Sequence, residues 1–233
     1  MPTPLPPDTS GTGAFDPPAA AGAQTVAAGD LGRWVADMAA VLRGTAGAEV
    51  PCGACVGCCS SRWPVALRDG DAAAAAKFPP QSIVAPANAP TGLRYAVPLE
   101  DGRCTMLCGK QCSIYPIRPQ TCRDFDCRLF AATGIDAAGE DKPLINERIQ
   151  AWRFSYASPA DEERHEALRA AARFLQKALL HPGSPRLPSS PVAIAGLAFK
   201  AHPVFLQETS RDMPFEALLQ QVLAEIRRFD APA

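Results

Sequence analysis

The residues best equipped for chemistry in this chain of 233 are its nine cysteines, and all of them lie between Cys52 and Cys127. The first group reads Cys52-Gly-Ala-Cys55-Val-Gly-Cys58-Cys59. After a cysteine-free insert, a second group holds Cys104, Cys108 and Cys112 and runs through Ser-Ile-Tyr-Pro-Ile-Arg-Pro-Gln-Thr-Cys122 to Cys127. Two clusters separated by an insert are the sequence form of a multi-ligand metal site. Cysteines three apart can reach one ion because a tight turn puts both sulfurs on one side, and Gly53 and Gly57 permit the backbone angles such turns need. Sulfur donors select Zn²⁺, Cu(I) or iron–sulfur clusters over Mg²⁺ and Ca²⁺. Neighbouring side chains diverge, so Cys58 and Cys59 are not expected on one undistorted ion. Cys59 then faces a second metal or is a buried or reactive bystander, and the thiol count allows two metal sites or one bridged cluster.

Zinc and iron–sulfur chemistry both fit these spacings. Cys52-x-x-Cys55-x-x-Cys58 has the three-cysteine spacing of bacterial ferredoxins but lacks their following C-x₃-C-P element. Zinc needs four ligands in tetrahedral array and accepts them from distant segments. Thiolates around a metal carry excess negative charge, and Arg62, Arg103, Lys110, Arg118, Arg123 and Arg128 lie close enough in sequence to offset it. A helix starting at Pro119 would place Cys122 in a field that favours its thiolate. Phe125 and Tyr115 read as packing residues that wall the site from water.

Composition narrows the remaining classes. A formal net charge of −1 and a pI near 6.3 give no electrostatic case for nucleic acid or an anionic membrane. The longest apolar run, Val192 to Phe199, is far too short to span a bilayer. No Lys or Arg precedes Arg33, so the N-terminus does not read as a secretory signal. The expected location is therefore cytoplasmic, where a reducing medium favours metal thiolates over structural disulfides. His165, His181 and His202 fall outside the cysteine region, and His165 sits among charges that place it toward solvent. No Walker loop, dinucleotide glycine motif or nucleophile elbow occurs. Catalytic residues are thus unassigned, and the expected partner is a metal ion.

These thiols must be positioned by a modest set of elements, and the expected fold is small α+β. An irregular, metal-stapled cysteine domain with short helices and a hairpin is followed by C-terminal helices. Residues 1–28, rich in Pro, Ala, Gly and Thr, are expected to be disordered. The cysteine domain spans 29–135 with a leading helix, and 136–233 is helical with a Pro-rich linker near 181–191. Asp30 caps the leading helix, which runs to about Arg43 and buries Leu31, Trp34, Val35, Met38 and Leu42 before Gly44. Arg62–Leu67 reads as a short strand, and Ala72–Ala76 as a short helix capped by Asp69 or Asp71. Residues 79–92 read as a surface loop. Leu93–Leu99 and Arg103–Leu107 flank Glu-Asp-Gly as a hairpin delivering Cys104. Cys122, Phe125 and Leu129 share the inner face of the helix after Pro119. Residues 143–157 fit a short helix or a strand. Ser158-Pro-Ala-Asp161 opens a helix to Leu180, and a last helix spans about Pro214 to Phe229.

The combination of Cys52-x-x-Cys55-x-x-Cys58-Cys59, Cys112-Ser-Ile-Tyr115 and Arg118-Pro119-x-x-Cys122-Arg123-x-Phe125 resembles the YkgJ-like family of zinc- or iron-chelating CxxCxxCC domains. The resemblance covers about residues 50 to 130. Cys104, eight residues before Cys112, fits the pattern, although Thr-Met-Leu follows it where the family more often has an aromatic. Cys108 and Cys127 match no position of the pattern. The implied metal ligands are Cys52, Cys55, Cys58, Cys59, Cys104, Cys112 and Cys122, holding zinc, iron or an iron–sulfur cluster. A flagellin lysine methylase carries a similar cysteine cluster, so the resemblance leaves a redox or enzymatic role open, but no methyl-donor motif occurs here.

Overall fold

A computed structural model describes residues 25–87, 90–137 and 142–232. Most of the stretch expected to be disordered, 1–24, lies outside the described residues. Its end does not follow that expectation. Val26–Asp30 form strand β1, with Ala28 buried. Asp30 closes the strand and caps helix α1 (Leu31–Leu42), its carboxylate accepting from the Arg33 amide at 2.9 Å. The α1 stripe buries Leu31, Trp34, Met38 and Val41.

The thiol-bearing middle is built from short pieces. Strand β2 (Val65–Leu67) leads through a 3₁₀ turn into helix α2 (Ala72–Ala75), and β3 (Ile83–Val84) and β4 (Arg94–Ala96) follow. These strands form an antiparallel sheet in the order β2-β4-β3, with Ala96 opposite both Val65 and Ile83. Part of the expected surface loop is therefore a strand. The hairpin expected between 93–99 and 103–107 is also absent: β4 pairs with β2 and β3, and only a tight turn remains, the Leu99 amide donating to the Arg103 carbonyl at 2.8 Å. The hairpin that does occur is shorter and later, β5 (Leu107–Cys108) against β6 (Gln111–Cys112).

Pro119 opens helix α3 (Gln120–Asp124), and a separate helix α4 (Arg128–Thr133) follows. One continuous helix was the sequence expectation, but Phe125 is extended, so Cys122 and Leu129 do not share a helical face. Asp126 explains the break. Its buried carboxylate accepts from the Trp34 indole at 2.9 Å and from the Arg128 amide at 2.9 Å, and it pairs with the Arg128 guanidinium at 2.7 Å. Arg128 in turn donates to the carbonyls of Ala28 and Glu49. One ion pair thus ties β1, α1 and the approach to Cys52 to the residues beside Cys127.

Residues 143–157 contain both candidate elements, helix α5 (Pro143–Ala151) and strand β7 (Trp152–Ser155). β7 pairs in parallel with β1, Val26 opposite Trp152. Helix α6 (Pro159–Leu180) begins with the expected capping box of Ser158 and Asp161. Helix α7 (Pro191–Phe205) had no expectation behind it, and α8 (Phe215–Asp230) matches its own. His165 faces inward rather than to solvent: it is buried, with Nδ1 at 2.7 Å from the Tyr156 hydroxyl.

The result is α+β, with eight α-helices and small sheets among the described residues. Two cores organise it. The larger joins α1, α4, α6, α7 and α8 through Leu31, Phe130, Leu168, Leu175, Phe199 and Val222. The smaller gathers Leu67, Ala74, Phe78, Ala96, Met106 and Ile114, with Cys104 and Cys112 packed against it.

Candidate metal centre

The first thiol group is folded by turns. Gly53, at φ +56°, takes a backbone angle that a side chain would strain, and the Cys55 amide closes onto the Cys52 carbonyl at 3.0 Å. The Gly57 amide donates to Cys55 Sγ at 3.4 Å. A Cβ on Gly57 would stand 3.0 Å from Ile145 Cα, so the loop lies directly on α5 only because this residue has none. Cys58 to Ser60 form a 3₁₀ turn. Arg62 then adopts φ +59°, rare for a residue with a side chain, held by its amide on the Gly102 carbonyl at 3.1 Å.

The second group is stitched to the first through backbone. The Cys104 amide donates to the Cys59 carbonyl at 2.7 Å. Cys112 stands on β6 opposite Leu107, and Cys122 on the short α3. The Gln120 amide at the start of α3 is fastened at 2.8 Å to the buried carboxylate of Asp71, which also receives the Arg68 amide.

All seven cysteines named from the sequence line one cavity of about 180 Å³: Cys52, Cys55, Cys58, Cys59, Cys104, Cys112 and Cys122. Cys127 lines it too. Cys108 does not, and it is exposed. Trp63, Phe78, Met106, Ile114 and Phe125 supply apolar wall, and Trp63 meets Phe125 at 5.2 Å between ring centroids. Tyr115 also lines the cavity but is half exposed, and the Arg118 guanidinium lies 4.1 Å over its ring.

Two cations reach this cavity, Arg118 and Arg148. Of the six basic residues expected to offset thiolate charge, only Arg118 lines it. Arg128 is held by Asp126, Arg103 by Asp101 at 2.6 Å, and Arg62 donates to the Glu100 carbonyl. Arg148 comes from α5, distant in sequence, and donates to the Cys52 carbonyl at 3.3 Å. Its relevance was invisible without the loop-on-helix contact at Gly57.

The electrostatics set out what a ligand must supply. Burial, reinforced by Cys58, Cys55 and Asp126, pushes the Cys52 thiol up to about 11, while Arg148 pulls it down. Burial, then Cys58, Cys104 and Cys112, pushes Cys122 up to about 12, against Arg118. The helix start at Pro119 therefore does not make Cys122 an easy thiolate, as the sequence suggested; desolvation and like charges win. Cys127 is pushed up to about 12, chiefly by burial, although the Trp152 indole N–H donates to its sulfur at 3.2 Å. Cys58 is raised by its hydrogen bond to Cys59 and then by burial, and Cys104 by burial.

These thiols hold their protons at neutral pH unless a cation compensates them. The donor chemistry fits zinc or iron: soft sulfur, an apolar wall and two guanidinium groups. Their present placement is less convergent. Among the described residues, no three or more cysteines, histidines or carboxylates are gathered on one point as a metal ion would need.

The class of domain this site defines is met in comparison with known families. A sequence model of the CxxCxxCC family, described as a "putative zinc- or iron-chelating domain", matches residues 51–148. That span begins one residue before Cys52 and ends on Arg148, so it holds every thiol of the cavity and both its cations. No curated protein and no solved structure matches the chain.

Proposed function

We propose that the protein chelates zinc or iron through Cys52, Cys55, Cys58, Cys59, Cys104, Cys112 and Cys122, in a reducing, cytoplasmic setting. The observation that carries this reading is that all seven face one cavity although they come from two loops, a hairpin and a helix. The family description supports it in general terms. A bound cation would replace the thiol protons, including those of Cys52, Cys104 and Cys122, which burial holds on more firmly. The metal also staples a region whose own core is small.

Elemental analysis of anaerobically purified protein tests the reading. Zinc or iron at one equivalent or more is expected, and metal-free protein that refuses both would overturn it. The same sample separates the forms. Visible absorbance with acid-labile sulfide marks an iron–sulfur protein, and a colourless zinc protein marks a thiolate site. X-ray absorption adds the role: complete sulfur coordination marks a chelating module, and a light-atom ligand marks a position open to chemistry.

A further inference from the structure

One polar group in the wall of the thiol cavity has nothing to bond. Among the described residues, the side-chain hydroxyls of Thr105, Thr121 and Ser184 are shut off from water without a hydrogen-bond partner, and of these three residues Thr121 alone lines the cavity. The local fold explains why. A threonine inside a helix can donate to a carbonyl one turn back, as Thr133 on α4 does to Leu129 at 2.8 Å. Thr121 is the second residue of α3, and Arg118 and Pro119 before it are extended, at ψ 147° and 154°, so no helical turn precedes it to supply that carbonyl. The helix cannot shift to find another partner. Its first amide, on Gln120, is held by the buried Asp71 carboxylate at 2.8 Å, and its last residue, Asp124, pairs with Arg68 at 3.3 Å. A buried hydroxyl fixed in this way costs free energy until an acceptor arrives.

The lining of the cavity indicates which acceptor that is. Among the described residues it has no carboxylate, amide or histidine side chain; apart from the Tyr115 hydroxyl, its side-chain acceptors are sulfurs. A neutral thiol accepts weakly, whereas a thiolate is charged and accepts well. We propose that the Thr121 hydroxyl is a positioning donor for the loaded site: it gives its hydrogen bond to a thiolate sulfur once metal has displaced the thiol proton. The hydroxyl keeps its own proton throughout. This inference rests on the chelation proposed above and does not depend on which thiols close on the ion. The bond exists only in the loaded state, so Thr121 favours metal retention without supporting the empty fold. A threonine that merely packed would do the reverse.

Zn²⁺ retention against a chromophoric chelator, measured anaerobically on the full chain, tests this. Thr121→Val keeps the shape and removes the donor, and it should weaken retention by about 10- to 100-fold. Thr121→Ser should restore most of it. With Co²⁺ as the probe, the thiolate-to-metal charge-transfer band should move to lower energy in Thr121→Val, because a sulfur without its hydrogen bond gives up charge more readily, and should return in Thr121→Ser. The urea midpoint of the metal-free valine variant should not fall. Unchanged Zn²⁺ retention with an unmoved Co²⁺ band would overturn the inference and leave chelation standing. So would a loss of retention matched by a loss of metal-free stability, which would make Thr121 a packing residue. A native chain that binds neither ion defeats the chelation reading itself. Should Thr121→Val fail to fold by circular dichroism, Thr121→Ala carries the same comparison.

Discussion

Asp126 joins parts of the chain that lie far apart in sequence, through Trp34 and through its partner Arg128. Its side chain is 2 % exposed and its partner Arg128 is 11 % exposed, so the pair is out of water. Removing one member of a buried pair strands the other charge, at a cost of about 3–5 kcal/mol. Asp126→Ala also leaves the Trp34 indole N–H without its acceptor. We expect urea unfolding to show a loss of that size, with Asp126→Asn losing less because an acceptor survives. Equal, small losses in both would show that the ion pair is not what ties β1 and α1 to the thiol region. Cys108 makes the opposite case. It sits on the β5–β6 hairpin, exposed and outside the cavity. In metal-loaded protein it should react fully with iodoacetamide while the cavity thiols are protected, as peptide mass mapping would read. The sequence could not separate Cys108 from Cys127, because neither matches the family pattern and both stand near a proposed ligand. Only the fold shows that one faces solvent and the other the Trp152 indole.

At the scale of elements, the helices with a polar face and the short β2, α2 and α3 were legible, whereas β1, β3 and α7 were not. α1, α6 and α8 announce themselves through apolar stripes at helical spacing, and each buries most of the residues its stripe names, while Val35, Leu42, Leu179 and Phe215 stay half-buried. α7 is apolar nearly all round and carries Pro203 within it, so it has no periodic contrast to read. β1 hides in a Gly- and Ala-rich stretch and exists because β7, far along the chain, pairs with it. Two elements yield tests. Gly57→Ala would press a methyl group onto Ile145 at the start of α5, and overpacking of this kind costs about 1–3 kcal/mol. Weaker zinc retention against a competing chelator is expected, since the loop carrying Cys55 and Cys58 must lift; unchanged retention would separate that loop contact from the site. On α7, burial holds His202 below the usual histidine range, outweighing the pull of the Phe199 carbonyl and Glu225, while Arg164 acts with burial. As pH falls below the unfolded value of about 6.5, the unfolded chain takes a proton that the folded helix refuses. Stability present above that pH is therefore lost on acidification through the folded value. His202→Gln, which can still donate to the Phe199 carbonyl, should shrink the difference in unfolding free energy between pH 7 and pH 5. An unchanged difference would place the acid sensitivity elsewhere.

For the whole molecule, the two cores differ in what they need. The larger core interlocks α1, α4, α6, α7 and α8 through large apolar side chains and contains a single cysteine, Cys127. The smaller core rests on Leu67, Phe78, Met106, Ile114 and three alanines, and two of the proposed ligands, Cys104 and Cys112, pack directly on it. Strands of two or three residues cannot sustain that region alone, because short ladders add few hydrogen bonds against the chain entropy they fix. Metal binding contributes folding free energy where ligands come from separate segments, and the proposed ligands come from 52–59, 104–112 and 122. Removing the ion by chelation should therefore loosen the molecule unevenly. Hydrogen exchange on the metal-free protein is expected to quicken first in 52–61 and 104–122, then across β2–β4. The amides of α6, α7 and α8 should keep most of their protection, and far-ultraviolet circular dichroism should retain most of its helical signal. Cys55→Ser combined with Cys122→Ser should give the same pattern without a chelator. Protection that stays level across 52–122 would mean that the scaffold is complete without metal, and the ion would then be cargo on a prefolded surface.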